Sequence, residues 1–325
     1  MAKPILKQMN KKTLLTGCFT SLILFTAAQE NLLRITARQK DDRSVELYCE
    51  KDVPGNYTVV LNFPELTNAS QPSKIYNIDG HGGIVTTLRP EDKSKNIGYR
   101  YSYRYIPGRL KPRVNSDFCY ILPYPPGTPC KAVEAGFVNE RYFGAEKPAD
   151  WKNYFFYTSK EETVTAVRKG LVVEITDKYE SSNKEDLEYT SRANAIILEQ
   201  EDGTLVRYRG IQKGSVKVAV GDVVYPGDAL ATNAAVSKNR FGVSVFIYYL
   251  GSADFESIQG QTLSRPKSLY KIVTPKFSID GNGCTLLESG KKYTAFSNAD
   301  LITKEMSKKE QKKNKERLTQ SGSTR

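Results

Sequence analysis

The chain has 325 residues, a formal charge of +12, five cysteines and one histidine. The single histidine excludes any site that needs two. Most of the charge sits at the ends: residues 1–28 hold four lysines and no acid, residues 304–325 hold eight basic and three acidic groups, and +3 remains for the rest. That excludes a concentrated basic field on the body of the kind that binds nucleic acid.

The first 28 residues have the layout of a cleavable signal peptide. Lys3, Lys7, Lys11 and Lys12 precede an apolar run from Thr13 to Ala28, and small residues at Thr26-Ala27-Ala28 precede the polar start at Gln29-Glu30. The run is shorter than the roughly 20 residues that span a bilayer, so no transmembrane anchor is expected after cleavage. An ordinary buried helix is the alternative. Leu15-Thr16-Gly17-Cys18 also resembles a lipobox, which would make Cys18 a lipid anchor; against this, the apolar run continues to Phe25. Export places the chain in the periplasm or on the outer cell surface. The remaining length suggests two domains.

Residues 30–115 alternate as strands do. Ser44–Glu50 and Asn56–Phe63 put apolar side chains on one face, with turn chemistry at Asp52-Val53-Pro54-Gly55 between them. Further strands are expected at Ile84–Leu88 and Gly98–Tyr105. Short strands at this spacing suggest a small β-sandwich. The Tyr/Arg alternation of residues 98–105 reads either as a recognition surface or as an ordinary strand with one wet face. Residues 116–255 are also β-rich, with strands expected at Phe118–Tyr124, Tyr154–Thr158, Thr163–Ile175, Ala195–Gln200, Leu205–Ile211 and Val243–Leu250. Asp202-Gly203 is a hairpin signal. Residues 178–192 are polar and aperiodic, as in an inserted loop. A last set of strands is expected within 256–303, at Tyr270–Phe277, Cys284–Leu287 and Lys291–Phe296. The basic tail, 304–325, reads as a solvated helix extension or a disordered end. Contact of the tail with anionic lipid or glycan is a further reading.

Four cysteines follow the leader: Cys49, Cys119, Cys130 and Cys284. In an oxidising compartment they allow three pairings. Cys119 and Cys130 bracket a short proline-rich loop, and their bridge is expected, contributing about 3 kcal/mol. Two buried free thiols are the alternative, and Cys49 with Cys284 is the second pairing considered.

Several segments share an order with a known family. Tyr120-Ile121-Leu122-Pro123-Tyr124 and Ala135-Gly136-Phe137 are similar to its opening. Thr163–Val173 resembles its V-x-A-x-x-x-G-x-V strand, Ala195–Tyr208 its D-G-x-x-x-x-Y hairpin, and Val216–Leu230 its V-x-x-G-x-x-V-x-x-G-x-x-I segment. Phe241–Tyr248 falls where the family has H-x-H-F. Together, over about 130 residues, these resemble the LytM/lysostaphin-type zinc endopeptidases, which cut peptide cross-links in bacterial cell walls. The resemblance implies an all-β, antiparallel domain of the duplicated-hybrid-motif type. It also implies a zinc held by a His, an Asp and one His of H-x-H, with an open position for water, whose lowered pKa makes it a nucleophile.

Those slots are empty here. The Asp slot falls at Phe155, or at Phe156 if the register slips. H-x-H reads Val243-Ser244-Val245, the histidine of Y-x-H reads Gly210 after Tyr208-Arg209, and the first ligand falls near Arg141-Tyr142-Phe143. The one histidine, His81, lies in Asp79-Gly80-His81-Gly82-Gly83 of the N-terminal region and reads as a loop tip. Cys119 and Cys130 with a carboxylate would be the one alternative metal set. No nucleophile elbow or P-loop is present, so neither metal nor cofactor is expected.

Apolar replacements fill an abandoned cage, so a closed, packed site is expected. The alternative is a surviving groove in which Phe143, Phe155 and Tyr208 grip a peptide or glycan. The expected function is that of a non-catalytic cell-envelope protein that binds another envelope protein or peptidoglycan, in a position to regulate a hydrolase. An active peptidoglycan hydrolase with a non-standard site is the alternative; a third reading gives binding to the sandwich alone.

Overall fold

The computed structural model describes residues 32–136, 152–180, 192–260 and 267–322. The expected signal peptide, Cys18 and Phe143 lie outside them, as do residues 181–191 of the expected insertion. The fold is all-β, with two helices near the C-terminal end of the described residues.

Six strands come first: β1 (Leu33–Gln39), β2 (Val45–Lys51), β3 (Tyr57–Thr67), β4 (Ile75–Ile78), β5 (Gly82–Leu88) and β6 (Gly98–Pro107). They form two three-stranded sheets, β1-β2-β5 and β4-β3-β6. Strand alternation sends Val45, Leu47 and Cys49 of β2 inward. There they meet Val59 and Leu61 of β3, with Leu33, Ile35 and Leu88 completing the core. The turn at Asp52–Gly55 carries the chain from one sheet to the other, so β2 and β3 are neighbours in sequence but not in pairing. The Tyr/Arg segment is β6. Its Tyr99, Tyr101, Tyr103 and Tyr105 are half-buried against the core, while Arg100 and Arg104 face water. That is the pattern of a strand with one wet face. Strands β1 and β4 add to those expected from the sequence; β4, at four residues, is too short to display a period.

The remaining strands are β7 (Cys119–Tyr120), β8 (Pro129–Glu134), β9 (Tyr154–Thr158), β10 (Thr163–Thr165), β11 (Gly170–Thr176), β12 (Ala195–Glu199), β13 (Leu205–Arg209), β14 (Val223–Val224), β15 (Ala229–Thr232), β16 (Ala234–Ser237), β17 (Arg240–Leu250), β18 (Tyr270–Ile272), β19 (Lys276–Phe277) and β20 (Lys292–Thr294). The large sheet runs β14-β11-β12-β13-β17-β9-β8-β20, with β16 and β18 also paired to β17. Two small pairs, β10-β15 and the parallel β7-β19, complete the unit. The hairpin signal at Asp202-Gly203 joins β12 to β13. Gly203 has φ +81°, and a Cβ there would lie 2.5 Å from Pro112, so both backbone and space select glycine. The expected strand at Cys284–Leu287 is reduced to one bridge, Thr285 to Phe277.

The sandwich docks on one end of the large sheet. Glu199 accepts from the Asn56 amide at 2.7 Å and from its side chain. Lys111 N–H donates to Leu250 O at 2.8 Å, and Tyr270 Oη to Pro107 O at 2.9 Å.

Two helices end the chain, α1 (Ala299–Thr303) and α2 (Lys308–Gly322). The helical alternative for the basic tail is therefore the one found, and the disordered reading is corrected over residues 308–322. The reason is tertiary. Glu305, just ahead of α2, pairs with Arg168 at 2.7 Å, and Glu310 of α2 pairs with Lys169 at 2.9 Å.

The expected Cys119–Cys130 bridge is not formed. Cys119 pairs with Cys284, 165 residues away, and Cys49 and Cys130 are buried free thiols, so the Cys49–Cys284 pairing is also absent. The cause is where the proline-rich loop goes. Ile121 N–H bonds Val167 O, and Thr165 N–H bonds Pro123 O, so the chain runs extended beyond Cys119 instead of turning back. Cys130 then enters β8 opposite Tyr293, while Cys119 on β7 lies beside β19, the strand that leads to Cys284. Burial pushes the free thiols up, to about 11 for Cys49 and about 12 for Cys130, so both are protonated and inert at neutral pH.

Candidate functional site

β17 is the strand on which the zinc-site resemblance is tested. Its pairings place Val243 opposite Phe156, and Val245 opposite both Tyr154 and Tyr208. Residues directly opposite across an antiparallel pair share a face. Val243, Val245, Tyr208 and Phe156 therefore converge on one face, and each is at most 1% exposed. Phe155 lies opposite Ser244 on the other face, so the position that joins the slots is Phe156. Tyr208 is anchored in this core by its hydroxyl, which accepts from Val167 N–H at 2.8 Å, and burial drives its pKa upward.

The core face is capped. Phe277 of β19, 0% exposed, meets Phe156 edge-on at 5.7 Å between ring centroids and Tyr154 at 5.9 Å. Tyr124 donates to Phe156 O at 2.7 Å, and Asn233 bridges Tyr124 Oη and Thr158 Oγ1 at 3.1 and 2.8 Å. Tyr154 Oη reaches Leu287 O at 3.2 Å. The Cys119–Cys284 bridge fastens the same C-terminal segment beside β7. Sequence reading missed Phe277 as the cap because it appears only as the end of an apolar run; nothing local says that the run crosses back over β9.

The residues present do not fit a zinc ion. Their side chains at the slots carry no imidazole or carboxylate. Gly210 adds a backbone argument: its φ is +97°, and a Cβ there would sit 2.9 Å from Gly242 O. A histidine at that position would need a strained backbone and a displaced neighbour. Among the described residues no group of three His, Cys, Asp or Glu side chains is gathered as a metal site. His81 lies on an exposed turn in the sandwich.

A buried polar group gathers around Arg168. Arg168 is 2% exposed. It pairs with Asp202 at 2.8 Å and Glu305 at 2.7 Å, donates to Gln200 Oε1 at 3.2 Å, and lies 3.8 Å over the Phe118 ring. Burial alone would lift the Asp202 carboxyl; the Arg168 guanidinium and Thr204 hydroxyl reverse that, so its pKa is lowered. An open cleft of about 600 Å³ borders this group, lined by Asn115, Lys169, Glu201, Ser307 and Glu310 among others. Both carboxylates here are committed to Arg168, which makes the group a structural clamp on the C-terminal segment rather than an acid–base pair.

The outer face of the large sheet is aromatic and basic. Phe155 and Tyr157 stack at 5.2 Å, Phe246 and Tyr248 at 5.4 Å, and Arg240 sits 4.6 Å over Tyr157. Of the three residues proposed to line a groove, Tyr208 is in the core, Phe155 is on this outer face, and Phe143 lies outside the described residues. Tyr208 and Phe155 therefore share no groove.

No protein-family model matches the chain, and no curated protein matches it. Two solved structures resemble it in part. One is the deep-sea M23 metalloprotease pseudoalterin, at 16% identity and a TM-score of 0.29, covering 55% of this chain and 96% of that one. The other is described as an M23 peptidase from Pseudomonas aeruginosa, at 12% identity and a TM-score of 0.27, covering 60% and 88%. Scores this low leave the functional assignment to the residues themselves.

Proposed function

We propose that this is a non-catalytic binding protein of the cell envelope, in which a LytM-like domain has exchanged its metal site for core packing. The observation that carries the reading is the set of four side chains at the ligand slots. Phe156, Tyr208, Val243 and Val245 are all at most 1% exposed and share one core with Phe277, which packs on Phe156. A hydrolytic metal needs donors and a position open to water and substrate; apolar side chains under an aromatic cap offer neither. Binding then falls to surfaces outside the former site, with another envelope protein or peptidoglycan as partner.

The test is elemental analysis for zinc on the purified protein, alongside digestion of purified cell wall with and without chelator. No metal and no digestion are expected. Bound zinc at one per chain with chelator-sensitive digestion would overturn the reading in favour of a hydrolase with a non-standard site.

A further inference from the structure

We propose that α2 is a fixed cationic face that docks this protein on an anionic phospholipid surface. The sequence of the helix is poorly suited to standing alone. Lys308 with Lys312 and Lys309 with Lys313 place like charges four residues apart, a spacing that destabilises an isolated helix. A helix of 15 residues is marginal in water even without such repulsion. The body of the protein holds it. Glu305 is clamped by the buried Arg168. Glu310 takes hydrogen bonds from Tyr225 Oη at 2.9 Å and Ser307 N–H at 2.7 Å, and pairs with Lys169. Met306 and Asn314 are buried against the body.

This anchoring sorts the charges. At 100° per residue, Glu310 and Asn314 share the inward side, and Lys308, Lys309, Lys312 and Lys313 fall together on the opposite arc. All four are exposed, and none forms an ion pair with a described residue. Glu316 is exposed as well, and at 100° per residue it falls on the lysine arc, four residues after Lys312. Glu305 and Glu310 are spent on the body, and the outward arc presents four lysines with one acid among them.

The composition of the face chooses the partner. Among its described side chains it offers point charges without aromatic rings to stack on bases and without arginine forks, so nothing in them reads base sequence. It offers no apolar stripe to enter the acyl region, so contact stays at the headgroups. Lysines close to a membrane surface are attracted by its negative potential, each strengthening association roughly fivefold, with a reach set by the Debye length. The inference is independent of the packed core beneath Phe277.

The test is co-sedimentation of the purified protein with vesicles of phosphatidylcholine alone or mixed with phosphatidylglycerol. Binding is expected only to the mixed vesicles and is expected to fall steeply with salt. The quadruple variant K308Q/K309Q/K312Q/K313Q is expected to lose on the order of a hundredfold or more in partition, with its circular dichroism and thermal unfolding unchanged. Equal binding to both vesicle types, binding to neither, or undiminished binding by the variant would overturn the proposal. Retention on an anionic polysaccharide or on DNA without vesicle binding would overturn the lipid assignment.

Discussion

On β17, Val243, Val245 and Ile247 point into the core, while Ser244, Phe246 and Tyr248 point to the other side of the sheet, and the two sets serve different physics. The inward set is closed by shape. Each side chain is at most 1% exposed; Val243 and Val245 are opposed by Phe156, Tyr154 and Tyr208 and Ile247 by Val206, and Phe277 packs on Phe156 and Tyr154. The outward set is joined by stacking and charge, with Phe246 against Tyr248 and Arg240 over Tyr157. The difference teaches where change can be absorbed. A catalytic site of the LytM type would have to occupy the inward face, which has no room, whereas Phe246 and Tyr248 on the outward face are only half-buried, so truncations there are expected to cost less.

The largest expected effect breaks the cap. Removing the Cys119–Cys284 bridge, as C119S/C284S, opens a loop of 165 residues; the chain-entropy model puts the loss at up to about 5 kcal/mol. Denaturant unfolding with and without reductant measures it, and an unchanged midpoint would show that the segment holds by packing alone. Next comes a matched pair of aromatic truncations. Phe277→Ala on the inward side is expected to cost about 3–5 kcal/mol, and Phe155→Ala on the outward side about 1 kcal/mol. Equal losses would erase the distinction between the faces. Introducing histidines, as V243H/V245H, buries unpartnered imidazoles at about 1–3 kcal/mol each. Lower stability and no zinc uptake are expected from unfolding curves and elemental analysis; stoichiometric zinc would mean that this face can hold a metal.

The smallest effect concerns the C-terminal helix. Hydrogen bonds from Lys169, Ser307 and Tyr225 hold the Glu310 carboxyl down at about 2, below its ordinary value of 4.5. A carboxylate depressed in the folded state stabilises fully above its unfolded value. That contribution is lost as pH falls from about 4.5 through about 2. Protection of the α2 amides, taken relative to the intrinsic exchange rate at each pH, should therefore fall over that window, and the E310Q variant should lack this dependence. Equal protection of α2 at pH 3 and pH 7 would show that Glu310 does not anchor it.

The positions of β2, β3, β9, β12, β13 and β17 were legible because alternation, apolar runs and turn chemistry are local properties of the chain. So was the shortage of histidine: the chain has one, and one histidine cannot make a two-histidine site wherever it falls. Phe155 against Phe156 was not legible: the two are adjacent, and only the pairing of β9 with β17 says which of them faces Val243. Cysteine pairing failed for a related reason. Short loops are favoured by chain entropy, which pointed to Cys130, but Cys119 and Cys284 meet because β7 and β19 run side by side.

The sequence by itself determined the all-β class, most strand positions and the absence of a two-histidine zinc site. All of these follow from residue type and short-range spacing. Only the tertiary structure decided the Cys119–Cys284 bridge, the Phe277 cap over the ligand slots and the ordering of the lysine-rich helix through Arg168 and Lys169. The bridge, the packing of Phe277 on Phe156 and the anchoring of the helix each join residues more than a hundred positions apart, and contacts across such separations are set by how the sheets pack, a property no local stretch of sequence contains.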